Sequence, residues 1–254
     1  MSNPYDSNNL NEYNPYQAPA AYEEGYQDDL VLLDEPKRFG ASAGIDWIKE
    51  SWRIFKLNPG LWILTLIAYF VITFVASLIP VINIIVSFLN VFFVASMAYI
   101  AYRLDMEEGA SIADLFAAFS HNPMGQIKIM LWSMVPVAIS GILAAIFIPN
   151  ITHLSSDISI STLFVLIILL AVIPLLMAMY LSPILVMFHE MPALDAMKLS
   201  FKACLVNFFP MLVFGIVFLI IALISTIPLG LGLLVTMPMS TIATYVIYKN
   251  TLLG

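Results

Sequence analysis

The side chains able to do chemistry are few, and they do not assemble into a reactive set. His153 and Asp157 stand four residues apart. That spacing could place two metal ligands on one helical face, but two ligands do not make a site. His121 and the pair His189-Glu190 lack H-E-x-x-H spacing and have no nucleophile beside them. Cys204 is the single cysteine, which excludes an internal disulfide and a C-x-x-C redox or metal motif. There is no Gly-rich phosphate loop. The expectation is therefore a protein with no catalytic residue, no metal and no cofactor.

The polar residues that remain have other uses. Lys49, Arg53, Lys198 and Lys202 sit on short amphipathic segments and are candidates for binding lipid headgroups. Asn58, Asn122 and Asn207 each follow such a segment. Their default role is a helix cap or turn, since Asn tolerates the left-handed conformation that closes a helix. The sharper alternative is a ring of Asn around a shared vestibule. Asn90 falls mid-span and must find a partner inside the bundle, because an unpaired amide in lipid is costly. No Asp, Glu, Lys, Arg or His falls near the centre of a predicted span, which argues against a proton-coupled pump.

The elements carrying these residues follow from composition. Of 254 residues, 61% are hydrophobic and 11% charged, against about 25% charged in an ordinary soluble domain. The chain belongs in a bilayer. The 46 uncharged residues between Lys56 and Arg103 would make one helix of roughly 69 Å, twice the hydrocarbon thickness of about 30 Å. They must fold back, and Ile79-Pro80 is the break. The same argument breaks the run between Lys202 and Lys249 at Pro228, Gly230 and Gly232. The predicted spans are 61–79, 81–102, 129–149, 161–187, 209–227 and 229–248, an all-α membrane protein of six transmembrane helices in three hairpins. Pro136, Pro174, Pro183 and Pro238 fall inside spans and predict kinks.

Alternation along these spans puts every Lys and Arg on one side, and the positive-inside rule makes that side cytoplasmic, with both termini. No cleavable signal precedes the first span, so that span is expected to act as the targeting signal. Residues 1–42 are read as a disordered tail. Eight acids and no base lie in residues 1–36. With its repeated Asn-Pro-Tyr, the tail could dock a soluble protein partner. The acidity belongs to this tail, and nothing reads as a nucleic-acid footprint.

The membrane domain, 43–254, repeats itself. At a shift of 149, Asp46, Lys49, Ser51 and Asn58 fall on Asp195, Lys198, Ser200 and Asn207. A weaker copy at a shift of 64 places Trp52, Phe55, Asn58 and Pro59 on Phe116, Phe119, Asn122 and Pro123. The unit is a short interfacial helix, an Asn and a hairpin, over about 43–104, 111–188 and 192–250. The expected apolar stripes are Ile45, Ile48, Trp52 and Phe55 in the first helix, and Ile112, Phe116 and Phe119 in the second. In the third, the stripe is Leu194, Met197, Phe201 and Cys204 or Leu205. Ser111 and Asp114 have the spacing of a capping box.

The segments Gly44-Ile45-Asp46-Trp47-Ile48-Lys49, Asn58-Pro59-Gly60 and Ala196-Met197-Lys198-Leu199-Ser200-Phe201-Lys202, with the Asn-Pro-Tyr-Gln-Ala-Pro of the tail, resemble a family of uncharacterised polytopic inner-membrane proteins of Gram-negative bacteria. They are more loosely similar to the membrane domain of some glycerophosphodiester phosphodiesterases. The resemblance covers about 37–254. It implies a multi-span protein of the inner membrane and carries over no activity.

The expected function is a non-enzymatic scaffold or lipid-interacting factor, with membrane lipids as partners. The alternative is a passive transporter or channel for a small solute, in which Asn90, Ser96, Thr241 and Thr244 would line a wet cavity on the axis of the repeats. The orientation is testable by reporter fusions. A fusion in 150–160 is expected to be active only as a periplasmic reporter, and one at the carboxyl end only as a cytosolic reporter.

Overall fold

The computed structural model describes residues 30–154 and 172–254. The tail through residue 29, Asp157 and the first part of the span expected over 161–187 lie outside the described residues, as does the side chain of His153.

The described chain is all-α. In order, it forms α1 (Ala43–Leu57), α2 (Pro59–Ser77), α3 (Pro80–Asp105), a 3₁₀ turn (Ile112–Phe116) running into α4 (Ala117–Ser120), and α5 (Pro123–Leu154). Then come α6 (Val172–His189), interrupted at Leu181, α7 (Ala193–Val206), α8 (Phe208–Thr226) and α9 (Leu233–Leu252). Three of these, α2, α6 and α8, are long and apolar enough to cross a membrane. Only 6% of the α8 span is buried within the protein. Leu212, Ile216, Leu219 and Leu223 on α8 are exposed, as are Leu64, Val71 and Phe74 on α2. Such continuous apolar surface is tolerable only in lipid.

Helix ends follow local chemistry. Proline opens α2, α3 and α5, where its missing N–H would have had no partner and its fixed φ suits a first turn. Asn58 accepts from Leu61 N at 3.1 Å and caps α2. The expected break after Thr226 is a turn with Leu229 and Gly230 both at positive φ, where glycine costs least.

The short helices depart from the expected faces. In α1, Trp47, Ile48, Ile54 and Phe55 are buried, while Ile45 and Trp52 are exposed. In α7, Met197 and Cys204 are buried, while Leu194 and Leu205 are exposed. The middle copy is a 3₁₀ turn plus one α turn, with Leu115 and Ala118 buried and Ile112 and Phe116 exposed. Each expected stripe is thus split, because these helices contact the bundle on one face and keep apolar groups on another. The Ser111–Asp114 capping box is present.

Packing partners are ordered. α1 lies against α8 and α9, the 3₁₀ turn against α3 and α2, and α7 against α6 and α5. α1 crosses α8 so closely that a Cβ on Gly44 would stand 2.3 Å from the Pro210 carbonyl oxygen. The core lies where α3, α6 and α9 meet, filled by Ile100, Tyr102, Ile184, Leu185, Tyr245 and Tyr248.

Residues 30–42, assigned by composition to the tail, are tied down. Leu32 bridges Leu253 in antiparallel fashion, Leu33 N donates to Leu252 O, and Gly254 N donates to Val31 O. Asn207, fully buried, accepts from Phe39 N and donates to Lys37 O, each at 2.9 Å. These partners lie about 170 or more positions away in sequence, so composition could not reveal them.

Asn207→Ala would leave two backbone groups of this strap unpaired, at about 1–3 kcal/mol each if they stay buried. The expected result is faster limited tryptic cleavage at Lys37 and Arg38, with helix content unchanged.

Candidate functional site

The four headgroup candidates separate into two kinds. Lys49 pairs with Asp46, and Lys198 with Asp195, each at 2.9 Å and each three residues apart. This is the same contact in α1 and α7. These lysines remain 71% and 77% exposed, and surface pairs of this kind hold their partners weakly. Lys202 pairs with Glu35 of the strap. Arg53 pairs with Asp105. Lys56 lies over the Trp52 ring at 5.8 Å. Around Lys49 and Lys56 stand the exposed Ile45 and Trp52, and around Lys198 the exposed Leu194 and Leu205.

The three Asn take different tasks. Asn58 is not left-handed, with φ −152°, and serves the following helix. Asn122 is left-handed, with φ 48°. It caps α5 through Gly125 N at 3.0 Å and donates to Val186 O at 3.1 Å. Asn207 clamps the strap. Each stands at a helix junction, with its amide engaged by backbone.

The sequence reading missed an ion cluster at the carboxyl end of α3. Asp105, only 3% exposed, receives Lys249 at 2.6 Å, Arg53 at 2.5 Å and the Tyr245 hydroxyl at 3.1 Å. Glu50 completes it, 3.4 Å from Lys249 and 2.9 Å from the Asn250 amide. Two carboxylates and two bases balance, and three helices are joined. Burial alone pushes the Asp105 carboxyl up. The hydrogen bonds and charges of Lys249 and Arg53 outweigh it and hold the group below the usual carboxylate range. The only sequence signal was a carboxylate just beyond Arg103 at the end of a span.

A second feature is a cavity of about 280 Å³ between α2, α3 and α9. Its closed side is Trp62, Thr65, Leu66, Phe93 and Met97, all buried. At its mouth stands Asn90, which is exposed and accepts from the Tyr69 hydroxyl at 3.0 Å. Thr241 lines the cavity too. Ser96 and Thr244 do not. Ser96 Oγ accepts from Ala118 N at 3.0 Å, and Thr244 donates to Ser240 O at 3.3 Å. Trp62 Nε1 and Thr65 Oγ1 are buried with no hydrogen-bond partner. Each such group costs about 1–3 kcal/mol.

Among the described residues, no group of three or more His, Cys, Asp or Glu could hold a metal. Cys204 is buried in α7, and burial pushes its thiol up to about 12, which keeps it protonated and unreactive at neutral pH. No protein family, curated protein or solved structure matches this chain.

Removing Asp105 would leave Arg53 and Lys249 with Glu50 as their shared carboxylate. Because Arg53 is half-exposed and Lys249 about a third exposed, Asp105→Ala is expected to cost about 1.5–3 kcal/mol of stability, the loss of hydrogen bonds to charged groups. Because the Asp105 carboxyl is depressed, its stabilisation is full above the ordinary carboxylate value of about 4 and is lost as pH falls through its lowered value. Thermal unfolding of the wild type in detergent should therefore fall off in acid more steeply than that of Asp105→Asn.

Proposed function

We propose that this chain is a six-span protein of the bacterial inner membrane, a non-enzymatic factor that engages inner-leaflet lipid through α1 and α7. The supporting observation is the pairing, on both helices, of exposed apolar side chains with exposed bases. Ile45 and Trp52 accompany Lys49 and Lys56, and Leu194 and Leu205 accompany Lys198. A helix lying in the headgroup layer needs apolar groups that dip into acyl chains and cations that meet phosphate. Their inner faces, docked on the bundle, fix the helices in place.

The hairpin reading draws support from the packing order. α2 with α3, α5 with α6, and α8 with α9 are in contact, and each short helix rests on the pair that precedes it in cyclic order. The first, α1, rests on the last pair. A ring of three like units closes in this way, with the short helices and both termini on the cytoplasmic side. The acidic Tyr-rich tail, delivered to that side by the strap, remains our candidate for contact with a soluble protein. The alternative, a passive conduit along the axis of the repeats, draws no support from the side-chain-filled meeting of α3, α6 and α9.

The test replaces Lys49, Lys56 and Lys198 together by Gln and leaves the ion pairs of Arg53 and Lys202 intact. Each lysine adds about 1 kcal/mol near an anionic surface, so phosphatidylglycerol retention is expected to weaken by up to roughly a hundredfold. Phosphatidylcholine retention should not change. Unchanged phosphatidylglycerol retention would remove the proposal.

A further inference from the structure

The middle of the chain is nearly bare of cations. Lys128 is the only Lys or Arg between Arg103 and Lys198. The 3₁₀ turn and α4 carry none, and their Asp114 is engaged by Arg103 at 3.1 Å. Lys128 stands instead in the second turn of α5, exposed. Its setting differs from that of most other bases. Lys49, Arg53, Arg103, Lys198, Lys202 and Lys249 each face a carboxylate. Among the described residues, neither an acid nor a hydrogen-bond acceptor meets the Lys128 ammonium. Beside it runs an open groove of about 260 Å³, lined among the described residues by Lys128, Leu131, Trp132 and Val135. Three- and four-residue spacing puts all of them on one face of α5. Leu131 and Trp132 are exposed there.

We infer that this groove holds one anionic glycerophospholipid, with its phosphate on Lys128. The polar side chains of the groove are donors only. An ammonium has three N–H groups, an indole has one, and neither accepts. A lipid phosphate is their complement, because its oxygens accept and carry negative charge. Leu131 and Val135 give an acyl chain an apolar floor to start along. The groove is smaller than the roughly 300–1,000 Å³ of pockets that enclose a small molecule, so it takes part of one chain and leaves the rest in the bilayer. A lysine in an apolar helix is costly unless its head reaches an anion or water, and Trp is favoured at headgroup depth. Free phosphate would leave the apolar floor bare. Phosphatidylcholine would bring its own cation beside Lys128. The inference rests on the six-span membrane reading and is independent of the cationic faces of α1 and α7, so either proposal can fail alone.

The test reads Trp132 itself. Trp47 and Trp62 are buried, and Trp52 is the other exposed indole. The full chain carrying Trp52→Phe is reconstituted in phosphatidylcholine vesicles. A small fixed fraction of the lipid has brominated acyl chains, which quench an indole they touch, and is either phosphatidylglycerol or phosphatidylcholine. A further Trp132→Phe variant supplies the background from the buried indoles. Brominated phosphatidylglycerol is expected to reach Trp132 with roughly fivefold preference, the effect of one lysine on an anionic lipid. Lys128→Gln should abolish the preference, and Lys128→Arg, which keeps the charge, should retain it. The signal does not report on Lys49, Lys56 or Lys198, so it is read separately from the retention assay. Four results would overturn the inference. The two lipids quench equally with Lys128 present, the preference survives Lys128→Gln, it is lost in Lys128→Arg, or added inorganic phosphate removes it and assigns the base to a free anion.

Discussion

A backbone amide inside hydrocarbon has no water to turn to, and this constraint governs the interior of the protein. Helices satisfy it along most of their length. Where α6 is interrupted at Leu181, just before Pro183, the lost bonds are restored from outside. Ser200 Oγ accepts from Leu181 N at 2.9 Å and donates to Met177 O at 2.8 Å. A hydroxyl from α7 thereby stands in for the missing turn of α6. Gln126 donates to Pro183 O at 2.8 Å, and Asn122 to Val186 O at 3.1 Å. The proline break is thus also the place where α5, α6 and α7 are stitched together. Gly125 permits the approach, since a Cβ there would stand 2.5 Å from Val186.

At the carboxyl ends of α3 and α9, charge takes over from backbone. The Asp105 cluster joins α1, α3 and α9, while the strap of residues 30–39 closes over the carboxyl end and is clamped by Asn207. Beside them, Phe188 stacks on Tyr248 with centroids 5.7 Å apart and meets Tyr102 at a tilt, 5.4 Å away. These contacts hold α1, α3, α6 and α9 together at this end. The faces of α1 and α7 turned away from the bundle keep Lys49, Lys56 and Lys198 exposed, and the cavity between α2, α3 and α9 lies among apolar helices.

Several of these features were legible in the residues. The helix breaks at Pro80 and at Pro228–Gly232 follow from proline and glycine chemistry in uncharged runs too long for one span. The Ser111–Asp114 box follows from spacing alone. So does the pairing of Asp46 with Lys49 and of Asp195 with Lys198, because three residues is one helical turn. The stripe assignments were less complete. Periodicity identifies an apolar face, but α1 and α7 are apolar on two faces. Which face meets protein and which meets lipid is a matter of where the bundle lies. The same holds for Asn90, whose need for a partner was plain from its type, while Tyr69 and the cavity beside it were not.

What the sequence determined by itself was local: which runs are apolar, where they must turn, and which residues cap or pair within one helical turn. These properties depend on neighbours a few positions away and on a uniform solvent, the bilayer. The tertiary structure alone decided that Arg53 meets Asp105, that Lys249 joins them across 144 positions, and that Asn207 holds Lys37 and Phe39. It also decided that Trp62 and Thr65 border an open volume. Such contacts depend on how helices distant in the chain are placed against one another, and a list of side-chain types does not encode that placement in any short-range pattern.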